Sequence, residues 1–128
     1  MKYICDTNFI IRYLIADDQE MFLKTKEIFE KTKNGENILL IEQTILTEVV
    51  FVLSSFYKVP RDKISTILSE LLAYKGIDTN KKLLLLTLEY YKNSNLHIVD
   101  CLLLASSKIT ALPVLTFDQE LRDRKSVV

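Results

Sequence analysis

Four carboxylates stand out in this 128-residue chain because of where they fall. Asp6 closes a short apolar segment that begins at Lys2, and Asp118 follows the segment Pro113 to Leu115 after Thr116 and Phe117. Glu48 and Asp100 lie within Leu46-Thr47-Glu48-Val49-Val50-Phe51-Val52-Leu53 and Ile98-Val99-Asp100-Cys101-Leu102-Leu103-Leu104-Ala105. At about 100° per residue these two runs make helices apolar nearly all round, so both are expected to be buried. A carboxylate there is costly unless it is paired or bound to a metal. Acids brought close together repel one another unless a cation sits among them, and an oxygen-only donor set favours Mg²⁺ or Mn²⁺ over zinc. Such an ion, keeping some of its waters, can activate water and neutralise phosphoryl charge, which is what phosphodiester hydrolysis requires.

Each acid also has an ordinary explanation. An Asp after a strand often caps the next helix, and for Asp6 or Asp118 taken singly that is the better account. Thr116 and Gln119 have capping-box spacing. Glu48 or Asp100 alone could be a rim charge. The one histidine, His97, opens the helix that carries Asp100, where a rim or capping role is favoured over ligation.

The elements that must position these residues alternate. A strand from Lys2 to Cys5 leads into a helix from about Asn8 to Ile15, and Asp17-Asp18 turns the chain into a charged amphipathic helix from about Glu20 to Lys33, read as a packing helix that stops near Asn34-Gly35. A strand Ile38 to Ile41 precedes a helix from about Thr44 to Phe56, and Pro60 opens another to about Tyr74. Gly76 to Asp78 is a third short strand; helices near Lys81 to Lys92 and Ile98 to Ile109 follow, then a fourth strand, Pro113 to Leu115. Strands separated by helices indicate an α/β sandwich around a parallel sheet, whose functional crevice lies beyond the carboxyl ends of the strands.

Composition narrows the classes. Hydrophobic residues make up 48% and charged residues 27%, with two Gly and two Pro, so residues 1–128 are expected to form a single domain. Basic and acidic residues number 17 each, so nucleic-acid binding would have to come from a local arrangement of charge. Asp6 interrupts anything like a signal peptide, the run Leu83 to Leu86 is far shorter than a membrane span, and Cys5 and Cys101 read as reduced core thiols; the expectation is a cytoplasmic protein with no membrane segment.

These segments resemble the PIN domains, and within them the VapC-like toxins of type II toxin-antitoxin (VapBC) pairs. Asp6-Thr7-Asn8-Phe9-Ile10-Ile11-Arg12-Tyr13-Leu14 is similar to the family's first motif, an Asp ending strand one with a small polar residue two positions on. The segments around Glu48, Asp100 and Asp118 resemble the second, third and fourth, in that order, and the resemblance spans essentially the whole chain. Cys101 departs from a common alanine, and neither that nor the leucine-rich helix touches an acid. The resemblance implies a PIN-like α/β/α sandwich with a central parallel sheet of about four or five strands flanked by helices. It implies a metal-dependent endoribonuclease leaving a 5′-phosphate and a 3′-hydroxyl. Asp6, Glu48, Asp100 and Asp118 would be catalytic, Mg²⁺ or Mn²⁺ would sit mainly on Asp6 and Asp100, and Asn8 and Thr116 would support them.

Arg12 is a candidate RNA-backbone contact, as is the cluster Arg122, Arg124 and Lys125, for which a solvated charge run is an equal account. The partners implied are an RNA substrate, a small VapB-like antitoxin and a second copy of the chain. A homodimer also suits the helix around Leu83 to Tyr91, whose apolar residues exceed one buried face. The alternatives are a non-catalytic PIN-fold interaction module, and a PIN nuclease acting on DNA or in rRNA processing without an antitoxin. A receiver-type phosphoryl-transfer domain is disfavoured, since no lysine follows the last strand and no acid pair ends the first.

Overall fold

The computed structural model describes residues 1–122, in two compact units, Met1–Asn80 and a second that begins at Lys81. Arg124 and Lys125 of the basic cluster lie outside the described residues.

The first unit runs β1 (Lys2–Ile4), α1 (Thr7–Ile15), α2 (Gln19–Lys33), β2 (Ile38–Leu40), α3 (Gln43–Ser55), α4 (Arg61–Leu72) and β3 (Ile77–Asp78). Its strands form a parallel sheet in the order β1-β2-β3. Parallel neighbours need crossover connections, and α1 with α2, then α3 with α4, are those crossovers. Lys2 pairs with Ile38 and Ile4 with Leu40, while Leu40 also faces Asp78, so β2 is central and β1 is an edge. The burial follows: Leu39 and Ile41 are enclosed, and Ile4 on the edge strand is 78% exposed.

Packing in this unit rests on residues at helical spacing. Ile10 and Ile11 of α1, Phe29 of α2, Leu46, Val49, Val50 and Leu53 of α3, and Ile64 and Leu68 of α4 are all buried. Each large aliphatic or aromatic side chain so enclosed contributes about 1.5–3 kcal/mol. Tyr13 joins α1 to α2 by stacking on Phe29 at 4.2 Å between ring centres. Its hydroxyl meets that of Tyr74 at 2.8 Å, and burial holds it neutral well above the ordinary tyrosine range.

The second unit, described as far as Arg122, contains α5 (Lys81–Lys92), α6 (Ile98–Thr110) and the single turn α7 (Gln119–Arg122). Helices α5 and α6 pack together, burying Leu84, Leu88 and Tyr91 of the first and Cys101, Leu104 and Ala105 of the second. Most of the leucine-rich face of α5 is spent on this core; Leu85 remains 41% exposed. Left-handed Ala111 (φ 61°) ends α6, and the Ser107 hydroxyl donates to Leu112 O at 2.6 Å.

The expected α/β class, a parallel sheet flanked by helices, is what the structure has. Among the described residues, though, the sheet has three strands where about four or five were expected. Pro113 to Leu115 forms no strand, and Leu115 and Phe117 are 93% and 102% exposed. Among the described residues no helix is long and apolar enough to cross a membrane.

Gly76 is the tightest point of the sheet. It donates its N–H to Thr32 O at 2.8 Å and presents its carbonyl to Leu39 N at 2.8 Å. A Cβ there would lie 2.0 Å from Asn37 O and 2.8 Å from Thr32 O, both backbone atoms. Gly76→Ala is therefore expected to destabilise the fold by at least the ~1–3 kcal/mol of an overpacked core, seen as a lower urea midpoint by circular dichroism.

Candidate active site

Asp6 is placed by the change from strand to helix. Cys5 still donates to Leu40 O at 3.0 Å, as part of the sheet, and the next residue is already the N-cap of α1. Oδ1 of Asp6 accepts from Phe9 N at 2.9 Å. The capping account is thus correct for Asp6, and it leaves a consequence: Oδ2 takes no hydrogen bond from any described residue, on a carboxylate exposed to solvent. Asn8 is also exposed, two positions along, and its amide bonds to no described residue.

Two hollows meet at Asp6. One, of about 390 Å³, is apolar and lined by Tyr3, Ile4, Cys5, Phe9, Ile28 and Leu39 as well as Asp6. The other, of about 320 Å³, lies between α1 and α2; its walls are Asp6, Asn8, Phe9, Arg12, Met21, Lys24 and Thr25, so three charged side chains reach it. Asp6, Asn8 and Arg12 are thus brought to one cleft. Lys24 and Thr25 carry no site signal of their own in the sequence, where the amphipathic pattern of α2 reads as packing alone. The short connection at Asp17-Asp18 was the available signal, since it makes α1 and α2 neighbours.

Arg12 is held within this cleft wall. Ala16 ends α1 in the left-handed conformation (φ 57°), and the turn brings Asp17 back so that Oδ1 accepts from Arg12 Nη1 at 3.1 Å. Asp17 Oδ2 accepts in turn from the Tyr57 hydroxyl at 3.2 Å. Nε of Arg12 and the Thr7 hydroxyl are buried with no hydrogen-bond partner among the described residues.

The other acids stand as follows. Glu48 lies on α3, but the expectation that it is buried is corrected: it is exposed, on a helix whose Phe51 is 64% exposed, while Leu46, Val49, Val50 and Leu53 face the core. A mostly apolar helix of a small unit still keeps one face in water, and Glu48 is on it. Asp100 is half-buried in the first turn of α6, where a negative charge suits the helix dipole, and no described residue bonds its carboxylate. Val99 and Leu103 beside it are exposed, so α6 too is less enclosed than its composition suggested. Asp118 is exposed and caps α7, its Oδ1 accepting from Glu120 N at 3.0 Å and Leu121 N at 3.2 Å. Thr116 does not cap that helix; its hydroxyl accepts from Asp118 N at 3.0 Å and so fixes the backbone of the acid. His97 is the N-cap residue of α6 without a side-chain capping bond.

No three His, Cys, Asp or Glu side chains among the described residues gather closely enough to enclose a metal ion. The donors at Asp6 nonetheless fit a hard divalent cation: one free carboxylate oxygen and a neighbouring amide oxygen, with room for water. Mg²⁺ is commonly held by one or two carboxylates and its own waters, without a full protein cage. Cys5, next to Asp6, is no competing ligand, since burial and the adjacent carboxylate push its thiol up from 9.0 to about 12.

Residues 3–126 match the family model described as PIN domain, and the chain belongs to that family. PIN domains are generally nucleases and typically use divalent metal ions. The searches of curated proteins and of solved structures returned no match.

The cap separates two consequences of changing Asp6. Asp6→Ala removes it and should cost about 0.5–2 kcal/mol, whereas Asp6→Asn keeps a capping oxygen and should unfold close to the parent in urea. Cys5 supplies a pH test: its neutral form is favoured in the fold, so its stabilising contribution is complete below the unfolded value near 9 and lost as pH rises towards about 12. Replacing Cys5 with Ser or Ala should flatten the decline in stability over that range, measured by denaturant titration at successive pH values.

Proposed function

We propose that this chain is a metal-dependent endoribonuclease and the toxin of a toxin-antitoxin pair, with Asp6, Glu48, Asp100 and Asp118 as its acidic residues. The observation that carries the reading is Asp6, a carboxylate fixed through one oxygen and open through the other, at the head of a chain that matches the PIN family over residues 3–126. The likeness of the four acid segments to VapC-like toxins supports the finer assignment, and with it a small VapB-like antitoxin, a homodimer and a single PIN domain over residues 1–128.

In this reading Asp6 and Asp100 hold Mg²⁺ or Mn²⁺, which when bound supplies Lewis-acid stabilisation of phosphoryl charge and a lowered pKa for water. The chain's own residues orient and restrain. The α1 capping bond restrains the Asp6 carboxylate through Oδ1, which lowers the freedom to be lost on ligation. Glu48, exposed on α3, serves to orient water. Thr116 steadies Asp118, and Asn8 offers an amide oxygen beside Asp6.

A non-catalytic interaction module is the second reading. It is favoured by the capping bonds of Asp6 and Asp118, which give both acids structural work.

The deciding experiment is cleavage of a mixed single-stranded RNA pool by the purified, antitoxin-free full chain with Mg²⁺, Mn²⁺ or EDTA. Cutting should require the metal, and folded Asp6→Asn and Asp100→Asn should each lose more than the roughly 10–100-fold typical of groups that merely support a metal ligand. Folded protein that cuts nothing, or variants as active as the parent, would favour the interaction module.

A further inference from the structure

The cleft between α1 and α2 brings two cations beside Asp6, each with one acid of its own, Arg12 with Asp17 and Lys24 with Glu20. Arg12 and Lys24 face it from opposite helices, with the exposed Asn8 as a neutral hydrogen-bonding neighbour. Asp17 engages only Nη1 of Arg12; Nη2 bonds to no described residue, and Nε is buried without a partner among the described residues. Lys24 has one weak attachment, Glu20 at 3.9 Å, between side chains 76% and 84% exposed, and such surface pairs hold a lysine loosely. Lys24 can therefore turn to an incoming anion, while Arg12, held through Nη1, offers Nη2 from a fixed position.

Position identifies the kind of anion. Asp6 forms one end of the cleft, and Arg12 lies six residues along α1, about 9 Å at the rise of a helix. Asp6, Arg12 and Lys24 line the same cleft, so a strand whose reacting group sits at Asp6 can lay a neighbouring phosphate against Arg12 and Lys24. Guanidinium and ammonium groups that contact phosphate this way position a nucleic-acid backbone without reading its sequence.

We infer that Arg12 and Lys24 form a phosphate subsite for the backbone of a single-stranded RNA, receiving a phosphodiester that neighbours the scissile one. The inference rests on the ribonuclease reading of Asp6. It adds Lys24 as a substrate contact and gives the strand a path from Asp6 along the groove between α1 and α2. Asp17 and Tyr57 keep the Arg12 guanidinium on the cleft wall.

Binding without turnover separates this claim from the claim of catalysis. Affinity for a fluorescent single-stranded RNA is measured with Asp6→Asn protein in EDTA at a series of salt concentrations, alone and combined with Lys24→Gln or, as a control outside the cleft, Lys63→Gln. Each phosphate contact on a single strand contributes a slope of about 0.7 in log K against log salt. Lys24→Gln should lower the slope by about that amount, with a similar loss of affinity for RNAs of unrelated sequence, and Lys63→Gln should leave it unchanged. Lys24 is exposed on a helix, so the substitution leaves the fold intact. An unchanged slope in Lys24→Gln, or binding of an acidic peptide in place of RNA, overturns the subsite. A normal slope change in a protein whose parent never cuts RNA overturns the nuclease reading alone.

Discussion

Between Cys5 and Phe9 the chain passes from a strand bonded to β2 into a helix, and one carboxylate oxygen secures the passage. The Cys5 N–H donates to Leu40 O at 3.0 Å, and Asp6 Oδ1 accepts from Phe9 N at 2.9 Å. The sheet bond fixes where α1 begins, and the cap fixes how the carboxylate is turned. Because α1 starts there, Arg12 falls on the side that meets α2, and Tyr13 stacks on Phe29. The stable helix and the available oxygen come from the same residue, so structural and chemical accounts of Asp6 do not compete.

The same economy recurs at Arg12. A left-handed alanine turns the chain so that Asp17 can restrain the guanidinium, and Tyr57 restrains Asp17. An arginine fixed by one nitrogen loses less freedom when the rest of the group meets a phosphate than one free on the surface would. The cleft's electrostatics thus depend on local geometry in a chain whose basic and acidic residues balance at 17 each.

Much of this was legible in the sequence where local chemistry decides. The end of β1 at Asp6, the stop of α2 near Gly35 (φ 87°) and the helix after Pro60 follow from caps, turn residues and fixed φ. The segment Pro113 to Leu115 did not follow, since strand-like composition does not supply a pairing partner. Glu48 misled for a related reason. Its neighbours on α3 are nearly all apolar, yet which face is covered depends on packing against α1 and α4, and Glu48 and Phe51 are on the uncovered side. Lys24 was unreadable as a site residue because only the pairing of α1 with α2 brings it to the cleft of Asp6. The capping box read at Thr116 gave the right turn with the wrong residue as cap; Asp118 does that work.

The central claim is that the free oxygen of Asp6 receives a divalent ion, and Mn²⁺ tests it by paramagnetic broadening of the amide resonances of the folded, isotope-labelled chain. The account predicts broadening centred on residues 6–8 at substoichiometric Mn²⁺, reversed by EDTA or excess Mg²⁺ and abolished in Asp6→Asn. Unbroadened resonances there, or equal broadening in Asp6→Asn, would contradict it.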